Sequence, residues 1–135
     1  MLPVIQRIAQ EYLAENGQAP CRDWLVGLKD TKAQTKVTKA VTQMEAENFG
    51  DHKPITGGNG LHKRRINYGS SYRIYYITEG AELIILFTSS DKSDQQAVID
   101  TSKEYLTVYR ARKPNTAFSN TKRRAYPQNK GNAKK

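Results

Sequence analysis

The stretch LHKRRINYGSSYRIYYITEGAELIILFT, residues 61–88, decides the fold. It divides into three segments of strand character: 61–67, 72–78 and 82–88. The second is rich in Tyr and Ile, and the third is almost wholly apolar. Tyr68-Gly69-Ser70-Ser71 separates the first pair, and Glu79-Gly80-Ala81 the second. Connections this short join antiparallel neighbours, so the stretch predicts a three-stranded meander.

Helical spacing lies on both sides of the meander. In residues 93–108, Val98, Ile99, Tyr105 and Leu106 give an apolar stripe, with Ser93 placed as an N-cap and Tyr109 just beyond. Upstream, residues 20–47 read as two helices broken near Lys29-Asp30-Thr31. In the second, Ala33, Val37, Ala40, Val41 and Met44 follow one buried face, and Lys32, Lys36 and Lys39 lie away from it. Asn48-Phe49-Gly50 closes it, with Gly50 as a C-terminal cap. Residues 51–60, with Pro54, Gly57, Gly58 and Gly60, read as a loop. Residues 2–13 suit strand or helix by period alone, and Asn16-Gly17 with Pro20 then turns the chain. With a strand there, the order is strand, two helices, three strands, helix. That is an α+β domain with helices on an antiparallel sheet.

Composition bounds the rest. The chain has 135 residues and a net charge of +9, from 22 Lys+Arg against 13 Asp+Glu. Hydrophobic residues are 37%, enough for one modest core. No run is long enough to span a bilayer and no signal peptide opens the chain, so a cytoplasmic protein is expected. A single cysteine, Cys21, makes no internal disulfide, and Cys21, His52 and His62 do not have zinc-site spacing. Residues 110–135 hold nine of the basic residues and no acid, leaving residues 1–109 formally neutral with 13 of each sign. The expected organisation is a folded domain over 1–109 and a basic, disordered tail over 110–135. Arg123 and Arg124 of the tail are candidate RNA contacts, through phosphates and counterion release.

One segment gathers chemistry. Between Lys53 and Arg73 lie Lys53, His62, Lys63, Arg64, Arg65 and Arg73 with no acid, interleaved with Tyr68 and Tyr72, and Tyr75 and Tyr76 follow. Strand alternation puts Lys63 with Arg65, and Arg73 with Tyr75. Arg64 points the other way, as do Tyr72, Ile74 and Tyr76. If the strands pair, Lys63, Arg65, Arg73 and Tyr75 converge on one surface, with Lys92 at its end. Such a surface suits RNA, with cations on phosphates and tyrosines on bases, and Lys53, His62, Arg64 and Tyr68 are its candidate RNA contacts. It also suits cleavage by a 2′-hydroxyl, which needs a base, positive charge on the phosphorane and an acid for the leaving oxygen. A Tyr or Lys whose pKa is lowered by cationic neighbours serves as base, and no metal or other cofactor is needed. The competing reading is a solvated basic sheet edge. Trp24 reads as core, and Cys21 and His52 as bystanders; His62 is a candidate RNA contact or proton-transfer group, against the reading of an inert surface imidazole. Asp91 reads as a helix cap or partner of Lys92, and Gly57-Gly58 lacks the context of a phosphate loop.

Several pieces in order resemble the RelE/ParE toxin superfamily, in its branch of small HigB-like addiction module killer proteins, some phage-derived. They are Asn16-Gly17 to Pro20, Asp23-Trp24-Leu25 with Leu28-Lys29-Asp30, Asn48 to Pro54, Arg65-Ile66 with Tyr68-Gly69, Tyr72 to Tyr76, and Asp91-Lys92-Ser93 with Gln95. They cover about residues 4–109. The resemblance implies a RelE/ParE-like fold: an N-terminal strand and the meander in an antiparallel sheet, packed by a helical hairpin and a C-terminal helix. It implies the toxin of a type II toxin–antitoxin pair that inhibits translation as a ribosome-dependent mRNA endonuclease. It places phosphate stabilisation on Arg73, with Arg65, Lys63 and Lys92 beside it. The implied partners are the ribosome and mRNA, a helix-turn-helix antitoxin, and promoter DNA through the antitoxin complex, with no membrane. Lys63 and Arg64 stand where that branch usually has an acidic and an apolar residue. The tyrosine some relatives carry on the last helix has no match, since Ile99 falls near its place, and Tyr75 or Tyr68 is the substitute. The alternatives are a ParE-like gyrase inhibitor and a degenerate, non-toxic RNA-binding relative.

Overall fold

A computed structural model describes residues 7–69, 71–93 and 95–112. The tail, with Arg123 and Arg124, lies outside them. The chain is α+β. Strand β1 spans Ile8–Glu11, helix α1 Pro20–Val26 and helix α2 Thr31–Glu45; strands β2 to β5 span His52–Pro54, His62–Ile66, Tyr72–Glu79 and Leu83–Ser90; helix α3 spans Gln95–Arg112. Local chemistry sets the helix starts. Pro20 occupies the first turn of α1, where its missing N–H is not needed. The Asp30 carboxylate caps α2 by accepting from the Lys32 and Ala33 N–H groups.

The meander forms as its spacing predicts. The sheet order is β1-β5-β4-β3-β2. β2, β3, β4 and β5 run antiparallel in turn. Two features depart from expectation. β1 joins β5 in parallel, Ile8 opposite Leu83, so the sheet is mixed rather than antiparallel. Residues 52–54, expected in a loop, form edge strand β2. The outer side of β1 is not left bare, because the Glu45 side chain accepts from the Ala9 N–H at 2.9 Å.

The sheet separates two cores. On one side Ala33, Val37, Ala40, Val41 and Met44 of α2 bury Ile66, Tyr72, Ile74, Tyr76, Ile84 and Leu86. On the other, Leu106 of α3 packs with Tyr12, Leu61, Tyr75, Ile77, Ile85 and Phe87. Each large side chain removed from water contributes about 1.5–3 kcal/mol. α3 continues to Arg112, past the boundary placed at 109. Its last turn ties down two loops, with Arg110 donating to the Asn59 carbonyl at 2.7 Å and Arg112 to the Leu13 carbonyl. Ser93 turns back rather than forward, its N–H and hydroxyl both donating to the Asp91 carboxylate.

A bulge interrupts the pairing of β4 with β5. Tyr75 pairs with Thr88 but Tyr76 pairs with Leu86, so Phe87 is an extra residue on β5. Past it the alternation of β5 changes phase. Ser89 meets Cys21 on the α1 side, and Ser90 meets Tyr75 on the α3 side.

A candidate RNA-binding face

Two cross-strand rows build the site on the α3 face. One runs Lys53, Lys63, Tyr75, Thr88 across β2, β3, β4 and β5. The next runs Arg65, Arg73, Ser90 across β3, β4 and β5. Directly opposed residues hold their Cβ atoms about 4.5–5.5 Å apart. Lys53, Lys63, Arg65 and Arg73 therefore converge on one surface, as alternation along the strands requires.

The groups differ in how they are held. Arg73 is 4% exposed. Its Nη1 donates to the Ser71 carbonyl at 3.0 Å, while its Nε has no partner among the described residues. Arg65 is half-exposed, and its Nε donates to Asp51 Oδ2 at 3.0 Å. The Arg65 N–H also donates to the Asp51 carbonyl at 2.7 Å. Lys63 Nζ donates to Gln95 Oε1 at 3.0 Å, which puts the first residue of α3 beside the cluster. Burial, and then the charges of Arg73, Arg65 and Lys53, hold Lys63 below the ordinary lysine range, with Asp51 pulling the other way. Lys53 and Lys92 are exposed, Lys92 two residues beyond Ser90 at the Arg73 end.

The tyrosines and the remaining basic groups lie elsewhere. Tyr75 is on the right face but fully buried, its hydroxyl 3.0 Å from Ser90 Oγ. It forms the floor under the cations and does not reach a substrate. Tyr68 sits on the opposite side of the sheet, donating to Asp30 Oδ2 at 3.3 Å under Lys36 of α2. His62 also faces away, near Tyr76 and His52. Arg64, expected as an RNA contact, is 7% exposed on the α2 side. Its Nη2 donates to Gln43 Oε1 at 2.8 Å, and its Nε and Nη1 have no partner among the described residues. Gly50, at φ +58°, passes so close over this guanidinium that any side chain would strike it. Arg64 packs inward because its neighbours on that face, Ile74 and Ile66, are core residues.

Asp51 and Gln95 do not stand out in the sequence as members of a site. Both are single polar residues outside the meander, and only the register of β2 and the placement of α3 bring them to the cluster. An acid standing just before the basic run, Asp51, is the local signal for the first. Among the described residues no three His, Cys, Asp or Glu side chains gather within reach of a metal ion. No helix among them is long and apolar enough to cross a membrane.

No protein-family model matches this sequence. A Haemophilus influenzae protein titled "Uncharacterized protein" is 34% identical over 80 residues, covering 59% of this chain and 79% of that one. At that identity and coverage, this chain belongs to the same family as the Haemophilus influenzae protein.

Proposed function

We propose that this chain has a RelE/ParE-like fold and is the toxin of a type II toxin–antitoxin pair, a cytoplasmic endoribonuclease that cuts mRNA on the ribosome. The observation that carries this reading is the face shared by Lys53, Lys63, Arg65 and Arg73, with Asp51 as its counter-ion. Four cations on a rigid sheet match a phosphodiester, and a partly desolvated lysine among them matches a base. In the proposed reaction neutral Lys63 takes the proton of a 2′-hydroxyl, and that oxygen attacks the adjacent phosphorus. Arg65, half-exposed, offsets the charge on the phosphorane oxygens, and Arg73, 4% exposed, adds its positive charge from beneath the surface. Protonated Lys92 gives its proton to the departing 5′-oxygen. The products are a 2′,3′-cyclic phosphate and a 5′-hydroxyl, and no cofactor enters. A small helix-turn-helix antitoxin would cover this face and bring the pair to promoter DNA.

The burial of Tyr75 and the placement of Tyr68 on the far side favour a second reading, RNA binding without cutting. Induced expression with mapping of mRNA 5′ ends separates the two. Growth arrest with new ends inside translated codons, lost in Arg65→Ala, supports the endonuclease. RNA binding with no arrest supports the second reading. Arrest with DNA breaks and intact mRNA points to gyrase instead.

The assignment of Lys63 as base has its own signature. A base works in its deprotonated form, so the cutting rate should rise with pH until Lys63 is neutral. That limb should level off below the ordinary lysine range, because the fold lowers its pKa. Lys63→Arg keeps the charge but gives up no proton. The expected result is a rate about 10²-fold lower with the rising limb gone. A rising limb that persists in Lys63→Arg assigns the base elsewhere.

A further inference from the structure

Helix α2 carries a second charged surface that the proposed reaction does not use. Lys32, Lys36 and Lys39 are all exposed. Their spacing places them one above another on a single flank, over about 10 Å of helix. Gln43 continues the same flank. Two contacts fix where it points. Lys36 Nζ stands 5.7 Å from the centre of the Tyr68 ring, and Gln43 binds Arg64. The lysines therefore line the side of α2 that overlooks β3 and the β3–β4 turn, with the half-buried Tyr68 ring at their foot. Thr31, Thr35, Thr38 and Thr42 are exposed on the crown of the helix.

The nearest acids are engaged elsewhere. Asp30 accepts from two backbone N–H groups and from Tyr68. Glu45 accepts from the Ala9 N–H, and Glu47 pairs with Arg7 at 2.7 Å. No ion pair among the described residues involves Lys32, Lys36 or Lys39. A row of lysines with no ion pair among the described residues, beside a half-buried aromatic ring, matches a polyanionic strand with unpaired bases: phosphates on the ammonium groups and a base on the exposed part of the ring.

We infer that the Lys32–Lys36–Lys39 flank of α2, with Tyr68, is a second RNA contact, on the side of the sheet opposite the proposed cutting face. The choice of RNA over DNA rests on the proposed function. The contact itself does not, since a protein that never cuts still binds.

Fluorescence anisotropy of the full chain with a short labelled single-stranded RNA, over a series of salt concentrations, tests this. The variant Lys32→Ala/Lys36→Ala/Lys39→Ala keeps exposed helix positions in a strong helix former. Its log–log salt slope is expected to fall by about 2, at roughly 0.7 per lysine for a single strand. Tyr68→Leu is expected to weaken binding roughly tenfold with the slope unchanged. RNA should also shield Lys32, Lys36 and Lys39 from acetylation by a small reagent, read by mass spectrometry. An unchanged slope in the triple variant, or full acetylation in the presence of RNA, overturns the contact. A deoxy strand of the same sequence that binds equally well overturns the assignment to RNA.

Discussion

Replacing Arg73 by methionine is expected to lower mRNA cutting about tenfold, the effect of losing roughly 1.4 kcal/mol of electrostatic stabilisation from a charge beneath the phosphate rather than in contact with it, without lowering stability. Arg73 is 4% exposed, and its Nε has no partner among the described residues. A buried cation held by one carbonyl and surrounded by Lys63 and Arg65 is a poor contributor to folding. Methionine fills a similar length without charge. The free energy of unfolding in urea should stay within about 1 kcal/mol of the parent or rise. A second consequence ties Arg73 to Lys63. The Arg73 charge is one of the causes that hold Lys63 low. Without it, the residual activity should need a higher pH to reach its plateau. Cutting at the parent rate in Arg73→Met would remove Arg73 from the reaction. A large loss of stability would show that the guanidinium serves the fold.

Gly50→Ala is expected to destabilise the fold although Gly50 lies at the surface. Two costs combine. Gly50 has φ +58°, and a side chain there costs about 1–2 kcal/mol. The new Cβ would also fall on the Arg64 guanidinium, the far end of a flexible side chain that can shift at the cost of its bond to Gln43, about 1 kcal/mol. The sum, about 2–3 kcal/mol, is read from urea unfolding. Cutting should fall as well, because the next residue, Asp51, is the one that holds Arg65. The double variant Gly50→Ala/Arg64→Met separates the costs. Removing the guanidinium should recover the Arg64 part and leave the backbone part. Equal losses in the single and double variants would mean that Gly50 is constrained by φ alone.

The parts of this molecule legible in the sequence are those fixed by neighbours along the chain. Tight turns at Tyr68–Ser71 and Glu79–Ala81 impose the meander, and alternation then dictates that Lys63, Arg65, Arg73 and Tyr75 share a face. The period of Ala33 to Met44 imposes α2. What was not legible depends on distant parts of the chain. Three residues of β2 carry no period, and they become a strand only because β3 offers an open edge. Nothing near Ile8 shows that its partner is Leu83, or that the two run parallel. The bulge at Phe87 resets the alternation and brings Ser90 to Tyr75. Tyr75 has the right direction for a site residue but lies beneath α3, and strand alternation says nothing about depth. Arg64 shows the reverse: its face was readable, and the Ile and Tyr side chains sharing that face are the reason it is buried rather than free for RNA.

The parallel pairing of β1 with β5 also orders events during translation. Ile8 waits for Leu83, 75 residues later, about 4 to 15 seconds at ordinary elongation rates. The hairpin of β3 and β4 can close in that interval, but β1 cannot pair, because its partner strand is not yet made. The basic face is finished later still. Ser90 must arrive to hold Tyr75 beneath the cations, and Gln95 to hold Lys63. A nascent chain that stops short of α3 therefore has every cation of the cluster and no assembled site. If the face acts on mRNA, the ribosome making it is protected from its own product until the last helix emerges.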